Sequence, residues 1–235
     1  MQVFAGTLAH VMRWCAQPGE PLFGSGRGCD DFEQRLLDFD GASAAHATDD
    51  ADEVLYVLSG RGTATIGGAD VALEPRSAAW IARGTPWNVA DAEGLRVLSV
   101  LIPRPEPANG LTHAFVAADD AEEGDATAGR HFRLLATPER GCATATQFVG
   151  YIPVGRAPDH YHRYDEVVYV LQGDGALHVD GESAPLRAGT AVHLPAGLVH
   201  CLENTGPGEM HVLGVFRPAG SPAEAYYPDG TRAQY

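Results

Sequence analysis

Apolar positions along the chain occur in short runs of β-branched and aromatic residues. The clearest runs are "EVVYVLQ", "GALHV", "TAVHLP" and "HVLGVF". Gly, Pro, Asn or Asp interrupts such runs about every 8 to 12 residues, which is typical of an antiparallel sandwich or barrel. The glycines of "QGDG" and "VDGES" suit tight turns between strands, because glycine tolerates a positive φ. The pattern predicts an all-β chain.

The same pattern occurs twice. The stretch "EVLYVLSGRGTATIGG" from Glu53 aligns without a gap with "EVVYVLQGDGALHVDG" from Glu166, an offset of 113 residues. A second pair, "VLSVLIP" and "VLGVFRP", extends the likeness at an offset of 115. Self-similarity at a nearly fixed offset indicates two copies of one structural unit. We predict an N-terminal barrel over residues 1–103 and a C-terminal barrel over residues 130–220.

Two segments lie outside the predicted barrels. Residues 104–129 contain "PRPEPANG" and "DDAEEGDATAGR", which are rich in proline, acidic and small residues, and we predict a mostly exposed linker. The acidic run forms either a short helix or a solvated loop. Residues 221–235, "SPAEAYYPDGTRAQY", form a tail that covers its own barrel, covers a partner subunit, or is disordered.

The charge of the chain limits its partners. There are 31 acidic and 16 basic residues, for a formal net charge of −15. A surface of that sign repels phosphate backbones and anionic lipids, so we expect neither nucleic acid nor a membrane as a partner. No apolar run approaches the roughly 18 residues of a membrane span, and "MQVFAGTLAHVMRW" lacks the features of a signal peptide. We therefore expect a cytoplasmic protein.

A group of candidate metal ligands lies in the second copy. In "DHYHRYDE", His160 and His162 are two positions apart, so in an extended strand both side chains point to the same face. Glu166 begins the next strand-like run, and His200 follows a Pro-x-Gly turn in "GTAVHLPAGLVHCLEN". Neutral imidazole and carboxylate are ligands that suit Fe(II), Mn, Co, Ni or Zn.

These residues resemble the two motifs of the cupin superfamily, G-x5-H-x-H-x3,4-E-x6-G and G-x5-P-x-G-x2-H-x3-N. One departure is that four residues, rather than five, separate Gly155 from His160. The resemblance implies a bicupin, with two double-stranded β-helix (jelly-roll) barrels in one chain. It also implies one mononuclear divalent metal per chain, with Fe(II) favoured and Mn, Ni, Co or Zn as alternatives. The ligands it implies are His160, His162, Glu166 and His200.

The first copy departs from the motifs at two of the four ligand positions. His46 and Glu53 match the first histidine and the glutamate, but Thr48 and Trp87 replace the other two histidines. An indole cannot coordinate a metal through its N–H, which only donates. We predict that the N-terminal barrel has lost its metal site and acts as a scaffold, a dimer surface or a lid.

Residues near the motifs are candidates for proton transfer or for substrate contact. Whether each one faces inward depends on strand register, which the sequence does not fix. The candidates for catalysis are Glu166, Tyr164, His178 and His193, and the candidates for the substrate pocket are Gln147, Tyr151 and Arg156.

Three functional classes fit this sequence. Four protein ligands leave about two positions open on an octahedral ion, which is typical of a catalytic metal. The first class, which the resemblance to quercetinase-like cupins favours, is an Fe(II)-type dioxygenase that acts on a small oxygenated molecule. The second is a non-redox isomerase, cyclase, lyase or hydrolase, and the third is a module that binds a small ligand without turnover. By the same resemblance we expect a homo-oligomer, and a dimer first.

Overall fold

The computed structural model describes residues 12–13, 20–107 and 110–234, and this part of the chain is almost entirely β. Short 3-10 helices cover Ala118–Asp120, Thr127–Gly129 and Pro138–Arg140. No helix in the described ranges is long and apolar enough to cross a membrane. The strands are β1 Met12–Arg13, β2 Pro21–Phe23, β3 Glu33–Phe39, β4 Ala51–Ile66, β5 Ala69–Leu73, β6 Ser77–Ile81, β7 Trp87–Pro103, β8 His113–Ala117, β9 Glu122–Asp125, β10 His131–Ala136, β11 Thr146–Ile152, β12 Asp165–Gln172, β13 Asp174–Val179, β14 Glu182–Arg187, β15 Ala191–Leu194, β16 His200–Asn204 and β17 Met210–Arg217.

The chain divides into two compact units, as the repeat predicts, but with different boundaries. We call described residues 20–122 and 134–147 the N-terminal barrel, and described residues 12–13, 123–133 and 148–234 the C-terminal barrel. Residues 12–13 were expected in the first unit, but β1 pairs with β15 and so joins the sheet of the second. Backbone pairing, which the local pattern does not reveal, sets these boundaries.

The N-terminal barrel is built on one sheet with the strand order β2-β3-β7-β4-β6-β8, and β5 pairs with β4. The long strands β4 and β7 pair from Ala51↔Pro103 to Ile66↔Trp87. Their inward side chains form an apolar core, which removes hydrocarbon surface from water and stabilises the fold. Among its members are Leu55, Val57, Ile66, Val89 and Leu95.

The C-terminal barrel contains two sheets, with the orders β1-β15-β12-β17-β11-β10-β9 and β14-β13-β16. In the larger sheet, β12 lies between β15 and β17, with Glu166 opposite Leu194 on one side and Phe216 on the other. Val168, Leu177, Val192 and Val212 belong to a buried apolar cluster. Glu166 is thus a charged residue type near the start of a buried strand.

The repeated Gly-x-Gly pair has the same structural role in both copies. Gly60 and Gly173 have φ values of +74° and +91°, which glycine adopts without steric cost. At the second glycine, a Cβ would lie 2.4 Å from the Asp91 carbonyl oxygen in the first copy. At Gly175 it would lie 2.2 Å from the carbonyl oxygen of Glu203. The pair therefore lies where the strand bends, within β4 and at the junction of β12 and β13, and not in the tight turn that "QGDG" was expected to form; positive φ and close backbone approach account for it.

The predicted linker is partly built into the sheets, although most of its described residues are exposed. Residues 113–117 form β8, which pairs with β6 from Ser77↔Ala117 to Ile81↔His113. The acidic run continues into the short strand β9 and forms no α-helix in the described residues. The tail lies over its own barrel, where Tyr226 forms an antiparallel bridge with Tyr161.

Candidate metal centre

Three histidines of the C-terminal barrel converge at one point. His160 and His200 face each other in an antiparallel bridge, with main-chain hydrogen bonds of 3.0 and 2.8 Å between them. His162 is two residues further along the same extended stretch, and its ring centroid lies 5.0 Å from that of His160. One potential ligand atom from each histidine lies within 4.8 Å of the others. The three rings are therefore close enough to share one ion.

Hydrogen bonds at Nδ1 fix how the three rings point. His160 bonds to the Pro158 carbonyl oxygen at 3.0 Å, His162 to that of Glu224 at 2.7 Å, and His200 to that of Leu198 at 2.9 Å. A carbonyl oxygen only accepts, so each Nδ1 carries the proton and donates it. In a neutral imidazole the Nε2 lone pair is then free, which is the arrangement of a metal-ligating histidine.

The environment keeps the three imidazoles neutral. Burial, together with the neighbouring His160, lowers the pKa of His162 to about 3. Burial is also the main cause of the lowered pKa of His160, and it holds the pKa of His200 well below its usual range. A protonated imidazole cannot bind a metal, so a lowered pKa favours ligation over a wide pH range.

Glu166 adds a buried carboxyl group to the same cavity. It is 4% exposed, and burial alone raises its pKa to about 8. No hydrogen bond from the described residues offsets this cost. Gly214, opposite Val168 in β17, leaves room for the carboxyl group, because a Cβ there would lie 2.8 Å from Oε1 of Glu166. The compact group of potential ligand atoms in the described residues comprises the three histidines and not Glu166.

This set of donors fits a divalent transition ion. Three neutral imidazoles supply lone pairs. The buried carboxyl group has no hydrogen-bonding partner among the described residues, so a bound cation would supply the counter-charge that its ionised form needs. The histidine and glutamate ligands suit Fe(II), Mn, Co, Ni or Zn and do not distinguish among them.

The histidines open into a cavity with mainly apolar walls, which encloses about 650 Å³ of space including its mouth. Arg130 is the one lysine or arginine among its lining residues, and its Nη2 donates to the Leu202 carbonyl oxygen at 2.6 Å. His131 lies flat against Tyr151, with ring centroids 4.5 Å apart. The apolar lining includes Phe132, Phe148, Ile152, Val168, Leu194 and Val212.

Three further candidates from the sequence line this cavity. Tyr164 is stacked between His162 and Phe216, at centroid distances of 4.6 and 4.0 Å. Tyr151 and Glu166 are also in the wall. Burial holds the pKa of Tyr164 well above its usual range, so its hydroxyl keeps its proton at neutral pH. These side chains are placed to contact a bound molecule.

Four other candidates from the sequence do not line this cavity. Arg156 pairs with Asp159 at 2.9 Å, and His178 pairs with Glu203 at 2.7 Å. His193 pairs with Asp165 at 2.9 Å, although it is buried. Gln147 is buried in the N-terminal barrel, and Phe148, the next residue in β11, lines the cavity instead. Side chains alternate along a strand, so the register that the sequence left open accounts for Gln147, His178 and His193, whereas Arg156 lies in the loop between β11 and β12.

Sequence reasoning missed two contributions to the cavity. Arg130 precedes β10 and His131 is its first residue, and the only local signal was their position at the start of the run "HFRLLA". The main-chain carbonyl of Glu224 is the second, and a main-chain contact leaves no signal in residue identity.

The equivalent place in the N-terminal barrel is filled by protein groups. His46 and Trp87 form the bridge that His160 and His200 form in the other copy. The indole N–H of Trp87 donates to Oε2 of Glu53 at 2.9 Å, and the Ser99 hydroxyl donates to Oε1 at 2.5 Å. Thr48 turns away to the Ala51 carbonyl oxygen. The described residues of this barrel contain no compact group of three potential ligands.

Comparison with known proteins places the chain in a family. The cupin domain family matches residues 37–101 and 147–216, together more than half of the chain. The chain therefore belongs to the cupin family, and the predicted all-β bicupin fold is confirmed. Members of this family commonly hold a metal ion and bind small molecules.

Individual relatives are more distant. A Streptomyces cyaneus protein named polyketide synthase CurC is 36% identical over 89 residues, 36% of this chain and 57% of that protein. The match thus spans little more than half of that relative's length. An IolB-like protein from Salmonella typhimurium has a TM-score of 0.74 at 13% identity, covering 93% of this chain and 97% of that one. The Bacillus subtilis oxalate decarboxylase, with Mn(II) centres, has a TM-score of 0.64 at 14% identity, covering 81% and 70%. The two solved structures share the fold.

Proposed function

We propose that the C-terminal barrel is a metal-dependent enzyme site for a small oxygenated organic molecule, and that it is first of all a mononuclear Fe(II)-type dioxygenase. The proposed ligands are His160, His162, His200 and Glu166. The observation that carries the proposal is the convergence of three Nε2 lone pairs beside a buried carboxyl group that no described donor satisfies. A bound ion would supply Lewis acidity and, if redox-active, electron transfer to dioxygen.

The cavity supports a ligand with one anionic end and an apolar body. Arg130 is half-buried in the cavity wall, and its charge adds to burial, the main cause, in lowering the pKa of all three histidines, so this charge acts at the proposed metal site. An enolate or carboxylate oxygen would be attracted by this charge, while Phe132 and Phe148 would pack on the rest of the molecule and exclude water. The small volume excludes a macromolecular substrate from the site itself.

A non-redox isomerase, cyclase, lyase or hydrolase is the second candidate. Tyr164 is buried in the cavity wall and holds its proton at neutral pH, as a general acid does. The Streptomyces relative named for polyketide synthesis supports an enolisable substrate, which suits both classes. A binding module without turnover is the third candidate, and open coordination positions speak against it.

The experiment is metal analysis combined with oxygen uptake. Protein purified without added metal is analysed for Fe, Mn, Ni, Co and Zn, and then offered a panel of enolisable diketones and catechols in an oxygen electrode. We expect tightly held iron and oxygen loss that depends on substrate. Turnover that is unchanged under anaerobic conditions would reject the dioxygenase and favour the non-redox class. Metal binding without turnover of any compound would favour the binding module.

A further inference from the structure

One candidate ligand depends on a segment that is remote in the chain. The Nδ1–H of His162 donates to the Glu224 carbonyl oxygen, 62 residues away in sequence. By contrast, His160 and His200 bond to carbonyls only two residues away, at Pro158 and Leu198. The orientation of the His162 ring is therefore tied to the C-terminal segment, residues 221–234.

This segment is fastened on both sides of His162. Tyr161 and Tyr226 exchange two main-chain hydrogen bonds, of 2.8 and 2.9 Å, and their rings stack with centroids 5.6 Å apart. The guanidinium carbon of Arg163 lies 4.0 Å from the centre of the Tyr226 ring, which is cation–π geometry. The Tyr226 hydroxyl also donates to Oε1 of Glu224 at 2.7 Å. Tyr226 thus holds the segment against the two neighbours of His162.

The segment is also a wall of the cavity. Pro222, Ala223 and Ala225 line it, and Ala223 and Ala225 are buried. The chain then turns back, and the Ala233 N–H donates to the Ala225 carbonyl oxygen at 2.9 Å. These small and cyclic side chains present an apolar surface to the site while their backbone stays hydrogen-bonded.

We propose that the C-terminal segment is a positioning element of the metal site. Through its carbonyl oxygen, Glu224 fixes His162 in the tautomer that presents Nε2, and Tyr226 keeps that carbonyl in place. Outer partners of metal-bound histidines commonly change metal affinity by about 10- to 100-fold. If binding of the C-terminal segment to the His162 stretch raises the metal affinity, thermodynamic linkage requires that metal binding stabilise the bound segment by the same factor. This inference rests on the metal site proposed above.

The test compares Tyr226→Ala with Tyr227→Ala in the full chain. Tyr227 is adjacent but is not bonded to the His162 stretch, so it is a matched control. We expect Zn(II) affinity, measured by competition with a chromogenic chelator, to fall about 10-fold in Tyr226→Ala and to stay at the wild-type value in Tyr227→Ala. In the metal-free protein, 15N spectra of the imidazoles should show that His162 alone loses its fixed Nδ1–H tautomer.

The outcomes separate this proposal from the one on which it rests. Equal Zn(II) affinity and an unchanged His162 tautomer in Tyr226→Ala would overturn the positioning role. If wild-type protein binds no Zn(II), the proposed metal site fails, while the tautomer measurement still tests the positioning role. If Tyr226→Ala does not fold, hydrogen exchange of the wild-type protein provides the test. The Tyr226 amide hydrogen should exchange about 10-fold more slowly with Zn(II) bound, and an unchanged rate would overturn the proposal.

Discussion

Glu53 and Glu166 occupy the same position in two copies of one unit, yet their surroundings differ. Glu53 receives hydrogen bonds from Trp87 and Ser99. In the second copy Gly214, which pairs with Val168, occupies the position of Ser99, which pairs with Leu55, so the hydroxyl donor is missing. His200 occupies the position of Trp87, so the indole donor is missing as well. The pKa of Glu166 is consequently raised to about 8 by burial.

The comparison teaches how a repeated fold gains or loses a metal site. In the N-terminal barrel, protein donors satisfy the carboxylate and close the site. In the C-terminal barrel the carboxyl group lacks donors among the described residues, and it lines the same cavity as three histidines. A buried charge needs a partner, so a cation is the natural complement of the second arrangement and not of the first.

The largest expected effect is on metal binding. His200→Ala should remove metal occupancy and leave the fold intact, because the apolar cluster of the C-terminal barrel does not include His200. Elemental analysis measures the metal occupancy, and circular dichroism measures the fold. His178→Ala, which alters a histidine paired with Glu203 outside the cavity, is the control and should keep its metal. A full equivalent of metal in purified His200→Ala would show that the ligand assignment is wrong.

The stability of the metal-free protein should fall as pH rises from about 6.5 to about 8. In this range the folded protein keeps the Glu166 proton that the unfolded chain has already lost, so unfolding releases a proton and becomes easier as pH rises. Below about pH 6.5 the three histidines give the opposite trend, because their pKa values are lowered in the folded protein and unfolding takes up protons. The fall between about pH 6.5 and 8 is on the order of 2 kcal/mol. Thermal unfolding across pH measures it.

Glu166→Gln is the matched variant for this pH effect, and it should flatten the slope between about pH 6.5 and 8. An equal slope in the variant and the wild type would assign the pH dependence to other groups.

Replacing each glutamate by leucine should give opposite results. Glu53→Leu leaves the Trp87 N–H and the Ser99 hydroxyl buried without an acceptor, so it should destabilise the protein by about 1 to 3 kcal/mol. In the metal-free protein Glu166→Leu should be neutral or stabilising, because it removes a buried carboxyl group that has no donors. Denaturant midpoints at pH 8 measure both. Equal losses in the two variants would refute the contrast between the barrels.

The smallest effect concerns one donor of the closed site. Trp87→Phe removes the indole N–H and keeps a buried aromatic ring, so it should cost about 1 kcal/mol and should not create a metal site. Ser99→Ala, which removes the other donor, should cost a similar amount. Midpoints identical to the wild type in both variants would mean that these bonds do not satisfy Glu53.

The sequence predicted those features that residue identity and spacing encode. The repeat indicated two barrels, and the alternation of His160 and His162 placed both rings on one face, where the structure has them. The Gly-x-Gly pairs indicated tight backbone geometry in both copies. Such features are local in the sequence, so they can be predicted without knowledge of the fold.

The differences between the predicted and the observed structure arise from contacts between residues far apart in the chain. The joining of β1 to β15 and of β8 to β6 depends on partners far along the chain. The outward positions of His178 and His193 depend on register, and the bond from His162 to Glu224 uses a main-chain atom. None of these contacts has a signature in residue type alone.

The most direct test of the central claim is an anomalous difference map from crystals of the metal-loaded protein. We predict one strong peak per chain, bounded by Nε2 of His160, His162 and His200 and by a carboxylate oxygen of Glu166. A peak beside His46 and Glu53, or no peak among the three histidines, would contradict the account.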